Sequence, residues 1–148
     1  MADKTTRRWT AQAPAPIFDH PAFTTPTPLA QARVAIVTTA GLMRPGEATW
    51  GHSDSTFRSF HQSERNLLVG HVSMNFDRVG VAADLNVVYP IDRLDDLART
   101  GVIGEVADEH LSFMGATYDL PSVVVDTGPA AAKRLRDGGV EVVLLTPV

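Results

Sequence analysis

The sequence predicts an α/β domain whose sheet is parallel in part, assembled from βαβ units and incomplete at its C-terminal side. Two observations carry that reading. Val34-Ala35-Ile36-Val37 and Val140-Glu141-Val142-Val143-Leu144-Leu145 are near-continuous apolar runs, the pattern of strands buried on both faces. The segments before Gly101 and before Gly138-Gly139 carry apolar residues at helical spacing, and helix, glycine, apolar strand is the order of a βαβ unit.

Residues 1–32 are expected to form an extended arm. Pro14, Pro16, Pro21, Pro26 and Pro28 remove amide donors there and restrict the residues before them. Ile17, Phe18 and Phe23 are unfavourable in water, so the arm is expected to lie along the domain or a partner. The α/β domain then occupies 33–148. Its first strand covers 33–39 and opens into Thr38-Thr39-Ala40-Gly41. In the less regular middle, Thr56-Phe57-Arg58-Ser59-Phe60 alternates like a half-buried strand, and Leu67-Leu68-Val69-Gly70-His71 reads as a shorter apolar one. Ile91, Leu94, Leu97 and Ala98 share a helical face, with Pro90 suited to the first turn and Gly101 to the stop. A further helix is predicted over 129–137, from Pro129 through Ala131 and Leu135. The closing strand, 140–146, should lie parallel and next to the first. Thr38-Thr39 and Thr146-Pro147 then open at the same end of the sheet, with His71 and Asp84 approaching it.

Composition narrows the chemistry. The 148 residues hold 17 acidic and 13 basic side chains, a formal net charge of −4. The basic residues, mostly arginine, are scattered, so no stripe exists to neutralise a phosphate backbone and no nucleic-acid partner is expected. The chain has no cysteine, which excludes disulfides, thiolate zinc sites, iron–sulfur clusters and a thiol nucleophile within these residues. Of the two amine side chains suited to a Schiff base, Lys4 falls in the arm and Lys133 on an exposed helix face. The opening Met-Ala-Asp-Lys-Thr-Thr-Arg-Arg-Trp leads into polar residues and prolines rather than an apolar run, and no apolar stretch is long enough to span a bilayer. A cytoplasmic protein with no membrane contact is the expectation.

No Gly-x-Gly-x-x-Gly follows a strand and no Gly-x-x-x-x-Gly-Lys-Ser/Thr occurs, so nucleotide sites of those kinds are not supported. Thr38-Thr39-Ala40-Gly41 lies where open α/β sheets bind ligands, at a strand's carboxyl end. Its hydroxyls and amides suit a small anion, and equally a strand-ending turn. The histidines at 20, 52, 61, 71 and 110 lack the i, i+4 and His-Glu-x-x-His spacings, so no metal site is expected. His52-Ser53-Asp54-Ser55 gathers acid, base and hydroxyl groups that a loop also uses for its own backbone. Asp84 and Asn86 can orient a ligand, while Asp92 and Arg93 can simply start a helix and pair locally.

Several segments taken together say more. Val-Ala-Ile-Val-Thr-Thr-Ala-Gly (34–41), Ser53-Asp54-Ser55-Thr56-Phe57-Arg58, Asp84-Leu85-Asn86-Val87-Val88-Tyr89-Pro90-Ile91-Asp92-Arg93-Leu94, Ser112-Phe113-Met114-Gly115-Ala116 and Gly139-Val140-Glu141-Val142-Val143-Leu144-Leu145-Thr146-Pro147-Val148 occur in this order. The series, over about residues 14–148, resembles the selenoprotein B family of the glycine, sarcosine, betaine and D-proline reductases. In that family the strand matching 140–146 runs into a selenocysteine, or a cysteine in some relatives. A selenol at such a place would be held as its anion by a following helix's dipole and free amides.

The resemblance implies that this anion attacks the substrate's α-carbon and breaks a C–N bond, the amine being activated by a pyruvoyl group on a partner subunit. Its partners would be other reductase subunits and a small amino-acid-like substrate. The resemblance and position nominate Thr39, Gly41, Asp54, Arg58, Asp84 and Asn86 for the substrate pocket. Arg58 would clamp a carboxylate and His71 would donate a proton to the leaving amine. The nucleophile is expected just after Val148, which makes the 148 residues inactive alone and predicts a UGA codon followed by further helix and strand units. A second reading keeps the fold without the nucleophile, as a non-catalytic small-molecule-binding or regulatory module.

Overall fold

The computed structural model describes residues 24–148 and, before them, Lys4, Arg8, Ala11, Gln12, Ile17, Asp19 and His20. Half of the expected arm, including Phe18, Phe23, Pro14, Pro16 and Pro21, lies outside the described residues. Ile17 is exposed, and residues 24–28 carry neither helix nor strand. At Leu29–Gln31 the chain departs from the expected extension and makes a 3-10 turn, closed by the Gln31 and Ala32 amides donating to the Pro28 and Leu29 carbonyls.

The strands among the described residues are β1 (Arg33–Thr38), β2 (Leu42–Met43), β3 (Phe57–His61), β4 (Leu68–Val69), β5 (Glu105–Val106), β6 (Glu109–Phe113) and β7 (Val142–Thr146). Within residues 24–148 the helices are α1 (Arg78–Ala83), α2 (Ile91–Arg99), α3 (Leu120–Ser122) and α4 (Gly128–Asp137), and Lys4, Arg8, Ala11 and Gln12 are helical as well, against the expected extension. A 3-10 turn at Leu85–Val87 leads toward α2, and a π-helical segment, Val123–Thr127, joins α3 to α4. No helix among the described residues is long and apolar enough to cross a membrane.

β1 is the centre of the main sheet. On one side it pairs in parallel first with β5 and then with β6, and β3 lies antiparallel beyond β6. On its other side it pairs in parallel with β7, in register from Val34↔Val142 to Thr38↔Thr146. The short strands β2 and β4 form a separate antiparallel pair.

The alternation of side chains along β1 divides the core. Val34 and Ile36 join Phe60, Tyr89, Ile91, Leu94 and Ile103 on one face, while Ala35 joins Leu111, Ala131 and Leu135 on the other. The first set contains the buried residues of α2, Ile91 and Leu94, and the second those of α4, Ala131 and Leu135, so the helices cover opposite faces, as a parallel sheet requires. Both helices end as the sequence predicts: Gly101 and Gly139 take φ +74, a left-handed conformation that L side chains rarely adopt.

β7 departs from the expectation of a strand buried on both faces. Val143, Leu144 and Leu145 are 38%, 38% and 69% exposed. Among the described residues only β1 pairs with β7, and its other edge has no strand against it. An apolar run identifies a strand, but burial depends on which neighbours the rest of the fold brings.

Candidate functional site

The threonines at the carboxyl ends of β1 and β7 meet, as expected. The Thr38 hydroxyl donates to the Thr146 carbonyl at 3.3 Å, and the Thr39 amide donates to the same oxygen at 3.2 Å. The Thr39 side chain then reaches past the strand: its Oγ1 accepts from the Val148 amide at 2.9 Å and lies 3.3 Å from the Val148 carbonyl. Across the sheet, Gly115 donates to the Thr39 carbonyl at 2.8 Å. A Cβ on Gly115 would stand 2.9–3.0 Å from Thr39 atoms, so only glycine lets these backbones approach this closely.

Gly41 turns the chain out of β1 with φ +63, and a Cβ there would lie 2.6 Å from Met114 Cε and 3.3 Å from the His71 amide nitrogen. The Gly41 carbonyl accepts from the Gly70 amide at 2.8 Å, which sets His71 beside this turn. His71 is buried, and its ring stacks on Phe76 with centroids 4.6 Å apart. Its Nδ1 accepts from the Ser73 amide at 3.2 Å, so the neutral ring carries its proton on Nε2, which has no partner among the described residues. Burial, and then the Arg78 guanidinium, push its pKa below the usual imidazole value. The group is therefore a neutral donor rather than an imidazolium.

Arg58 comes from β3, opposite Ser112 of β6, and its guanidinium lies over Trp50 at 4.1 Å. The fork is already engaged: Nη1 pairs with Glu47 at 3.1 Å and Nη2 donates to the Ala48 carbonyl at 2.7 Å. Asp54 accepts from the Thr56 amide and hydroxyl at 2.9 and 2.6 Å, an Asx turn that uses the carboxylate locally.

Asp84 caps the Leu85–Val87 turn by accepting from the Asn86 amide. Asn86 bridges onward to Asp92 at 2.8 Å, at the start of α2. The Asn86 hydrogen bonds hold the Asp84 carboxyl below the usual carboxylate range. This segment reaches the strand ends through its backbone, where the Val88 carbonyl accepts from the Thr146 hydroxyl at 3.0 Å. Thr39, Gly41 and His71 thus share one rim with Thr146 and Gly115, and Arg58 approaches it through Trp50, whose Cδ1 lies 2.9 Å from the position of a Gly70 Cβ. Asp54, Asp84 and Asn86 are tied into their own turns.

Other residues at the rim escaped the sequence reading. The buried Ser112 hydroxyl accepts from the Leu42 amide at 2.9 Å, and the Trp50 indole donates to the Leu42 carbonyl at 3.1 Å. Ser112 and Gly115 sit inside one of the segments that carry the resemblance, but nothing local marks them as partners of residues 70 and more positions away. No group of three or more metal-ligating side chains occurs among the described residues.

Fold and rim define an α/β protein with a polar site at the carboxyl ends of its parallel strands, the usual ligand position in such sheets. Comparisons with known proteins agree with the motif series. The family described as glycine/sarcosine/betaine reductase selenoprotein B matches residues 4–148. The chain belongs to this family. It is 33% identical over 135 residues to the D-proline reductase subunit gamma of Acetoanaerobium sticklandii, covering 88% of this chain and 55% of that protein. It is 29% identical over 153 aligned positions to the sarcosine reductase complex component B subunit beta of Peptoclostridium acidaminophilum, covering 94% of this chain and 33% of that one. The chain therefore spans about half and a third of the length of these relatives. No solved structure matches it.

Proposed function

We propose that the protein is a component of a selenol- or thiol-dependent reductase that cleaves the C–N bond of glycine, a glycine derivative or D-proline. Membership of the family supports the class of reaction. The observation that carries the site is the Thr39 side chain gripping the backbone of Val148 at the shared end of β1 and β7. The resemblance implies that a selenocysteine or cysteine follows the position of Val148. A hydroxyl donor, the Gly41 turn and a buried neutral imidazole at that rim suit an anionic nucleophile and an amine that leaves with a proton. There the selenol or thiol would supply the electron pair that attacks the α-carbon as the amine leaves with the electrons of the C–N bond, and a pyruvoyl group of a partner subunit would activate that amine.

In this reading Thr39 orients the backbone that carries the nucleophile, and His71 hydrogen-bonds the departing amine through its Nε2–H, the proton itself coming from solvent because a neutral imidazole is too weak an acid to give it up. Arg58 acts as a carboxylate clamp by exchanging Glu47 for the substrate. Other reductase subunits, an amino-acid-like substrate and a cytoplasmic setting complete the proposal. One observation favours the second reading, a non-catalytic binding module: Arg58, Asp54, Asp84 and Asn86 all have their polar groups engaged within the fold.

The test is reconstitution. A chain continued past Val148 with selenocysteine or cysteine is combined with its partner subunits and a dithiol, and C–N cleavage is measured as amine release from glycine, sarcosine and betaine and as formation of the ring-opened amino acid from D-proline. Turnover of one of them, reduced about tenfold or more by Thr39→Val, is expected. No turnover of any of the four by a folded, assembled complex would leave the binding module as the better account.

A further inference from the structure

Adjoining the strand-end rim through His71, whose ring stacks on Phe76 and whose carbonyl accepts from Arg78, a cavity of about 410 Å³ opens between β4, α1 and the Leu85–Val87 turn. Its walls are Leu67, Leu68, Val69, Phe76, Val81 and Leu85, of which all but the half-exposed Leu68 belong to the main core cluster or pack against it. The core thus continues into an accessible space that is mostly apolar and of the size small-molecule sites have.

Two arginines also line the cavity, and they differ in one respect. Arg65 is neutralised by Asp92 at 2.8 Å and Asp95 at 2.6 Å. Arg78 pairs with no carboxylate among the described residues. It donates instead to neutral peptide oxygens, to His71 at 2.7 Å and to Ser73 and Phe76 at 3.3 Å. Those bonds hold the solvent-exposed guanidinium at the cavity and leave it, among the described residues, without a carboxylate and with two of its five N–H groups without a partner. Among the described residues no aspartate or glutamate lines the cavity, so no carboxylate there receives an ammonium group.

We propose that this cavity binds a small organic monocarboxylate with an apolar body, the carboxylate on Arg78 and the body against Leu67, Val69, Phe76 and Val81. A charge-assisted bond to a guanidinium held beside an apolar wall selects such a ligand over a neutral molecule of the same shape. A free amino acid is disfavoured because its ammonium would be desolvated without a partner. The site is thereby distinct in ligand class from the amino-acid site proposed at the rim, and it stands or falls independently of the reductase reading.

The test titrates the full chain with hexanoate, hexanol, hexylamine and leucine, by calorimetry or by amide chemical shifts. Hexanoate should bind in the millimolar range or tighter, with hexanol at least about tenfold weaker and hexylamine and leucine weaker still. Arg78→Gln should weaken hexanoate about tenfold or more and leave hexanol unchanged, and Arg78→Lys should restore part of the loss. Val81→Trp, which fills the cavity and keeps Arg78, should abolish both and decides the matter if Arg78→Gln does not fold. Equal affinity for hexanoate and hexanol, preference for leucine, no hexanoate binding at about 10 mM, or hexanoate binding that survives Val81→Trp would each overturn the proposal.

Discussion

At the scale of single residues, His110 has a task that its sequence position conceals. It is fully buried in β6, and its Nδ1 accepts the Ile36 amide at 2.9 Å, a donor of β1 that would otherwise seek a strand carbonyl. Burial, with Arg65 nearby, pushes its pKa down to about 4. Above about pH 6.5 the ring is neutral in folded and unfolded chains alike. Between about pH 6.5 and about 4 the unfolded chain takes up a proton that the folded chain refuses, so stability falls as pH falls through that window. The loss is on the order of 3 kcal/mol. His71, also lowered, adds in the same direction. Urea titrations at a series of pH values should show this slope, and His110→Gln should flatten most of it while reducing stability at pH 7 by about 1–3 kcal/mol. A slope unchanged by the substitution would show that His110 is not the group responsible.

At the scale of elements, legibility follows locality. α2 and α4 were readable because Pro90, Gly101, Pro129 and Gly139 mark their ends within a few residues of their apolar stripes. β5 and β6 were not, because Glu105, Asp108, Glu109 and His110 break the apolar pattern, and the compensating contacts come from Arg33, Arg134 and Ile36 far along the chain. The rim divides the same way. Thr39 and Gly41 announce themselves at the end of an apolar strand, whereas nothing near Arg58 tells that Glu47 fills its fork. The difference between a covered and an uncovered element is measurable. Leu135→Ala in α4, where the side chain is 6% exposed, should cost about 2–4 kcal/mol in chemical denaturation. Leu145→Thr in β7, at 69% exposure, should change stability by about 0.5 kcal/mol or less. Comparable losses at the two sites would mean that β7 is covered after all.

At the scale of the whole molecule, the sheet is asymmetric. Its β3 side ends in an antiparallel strand with Arg58, Ser59 and His61 along it, while its β7 side presents unpaired backbone groups and apolar side chains together. Open edges of that kind are templates for association. The 148 residues by themselves are therefore expected to bind a hydrophobic dye and to associate as concentration rises. Val143→Thr, Leu144→Thr and Leu145→Thr combined should reduce both effects without changing the circular dichroism. Dye binding and association that persist in the triple variant would put the sticky surface elsewhere.

The imidazole that stands in for a strand carbonyl also gives the sheet an internal clock. Backbone ladders let go of their amide protons only when strands part, but the Ile36 proton is held by a ring that titrates. In heavy water its exchange should track global opening near neutral pH. Below about pH 4, where the ring begins to hold a proton of its own, it should accelerate ahead of the Val37 and Thr38 amides on either side of the β1 ladder. One deuterium-labelling series would then report, from a single position in the centre of the sheet, when β6 loosens from β1 while β7 still holds.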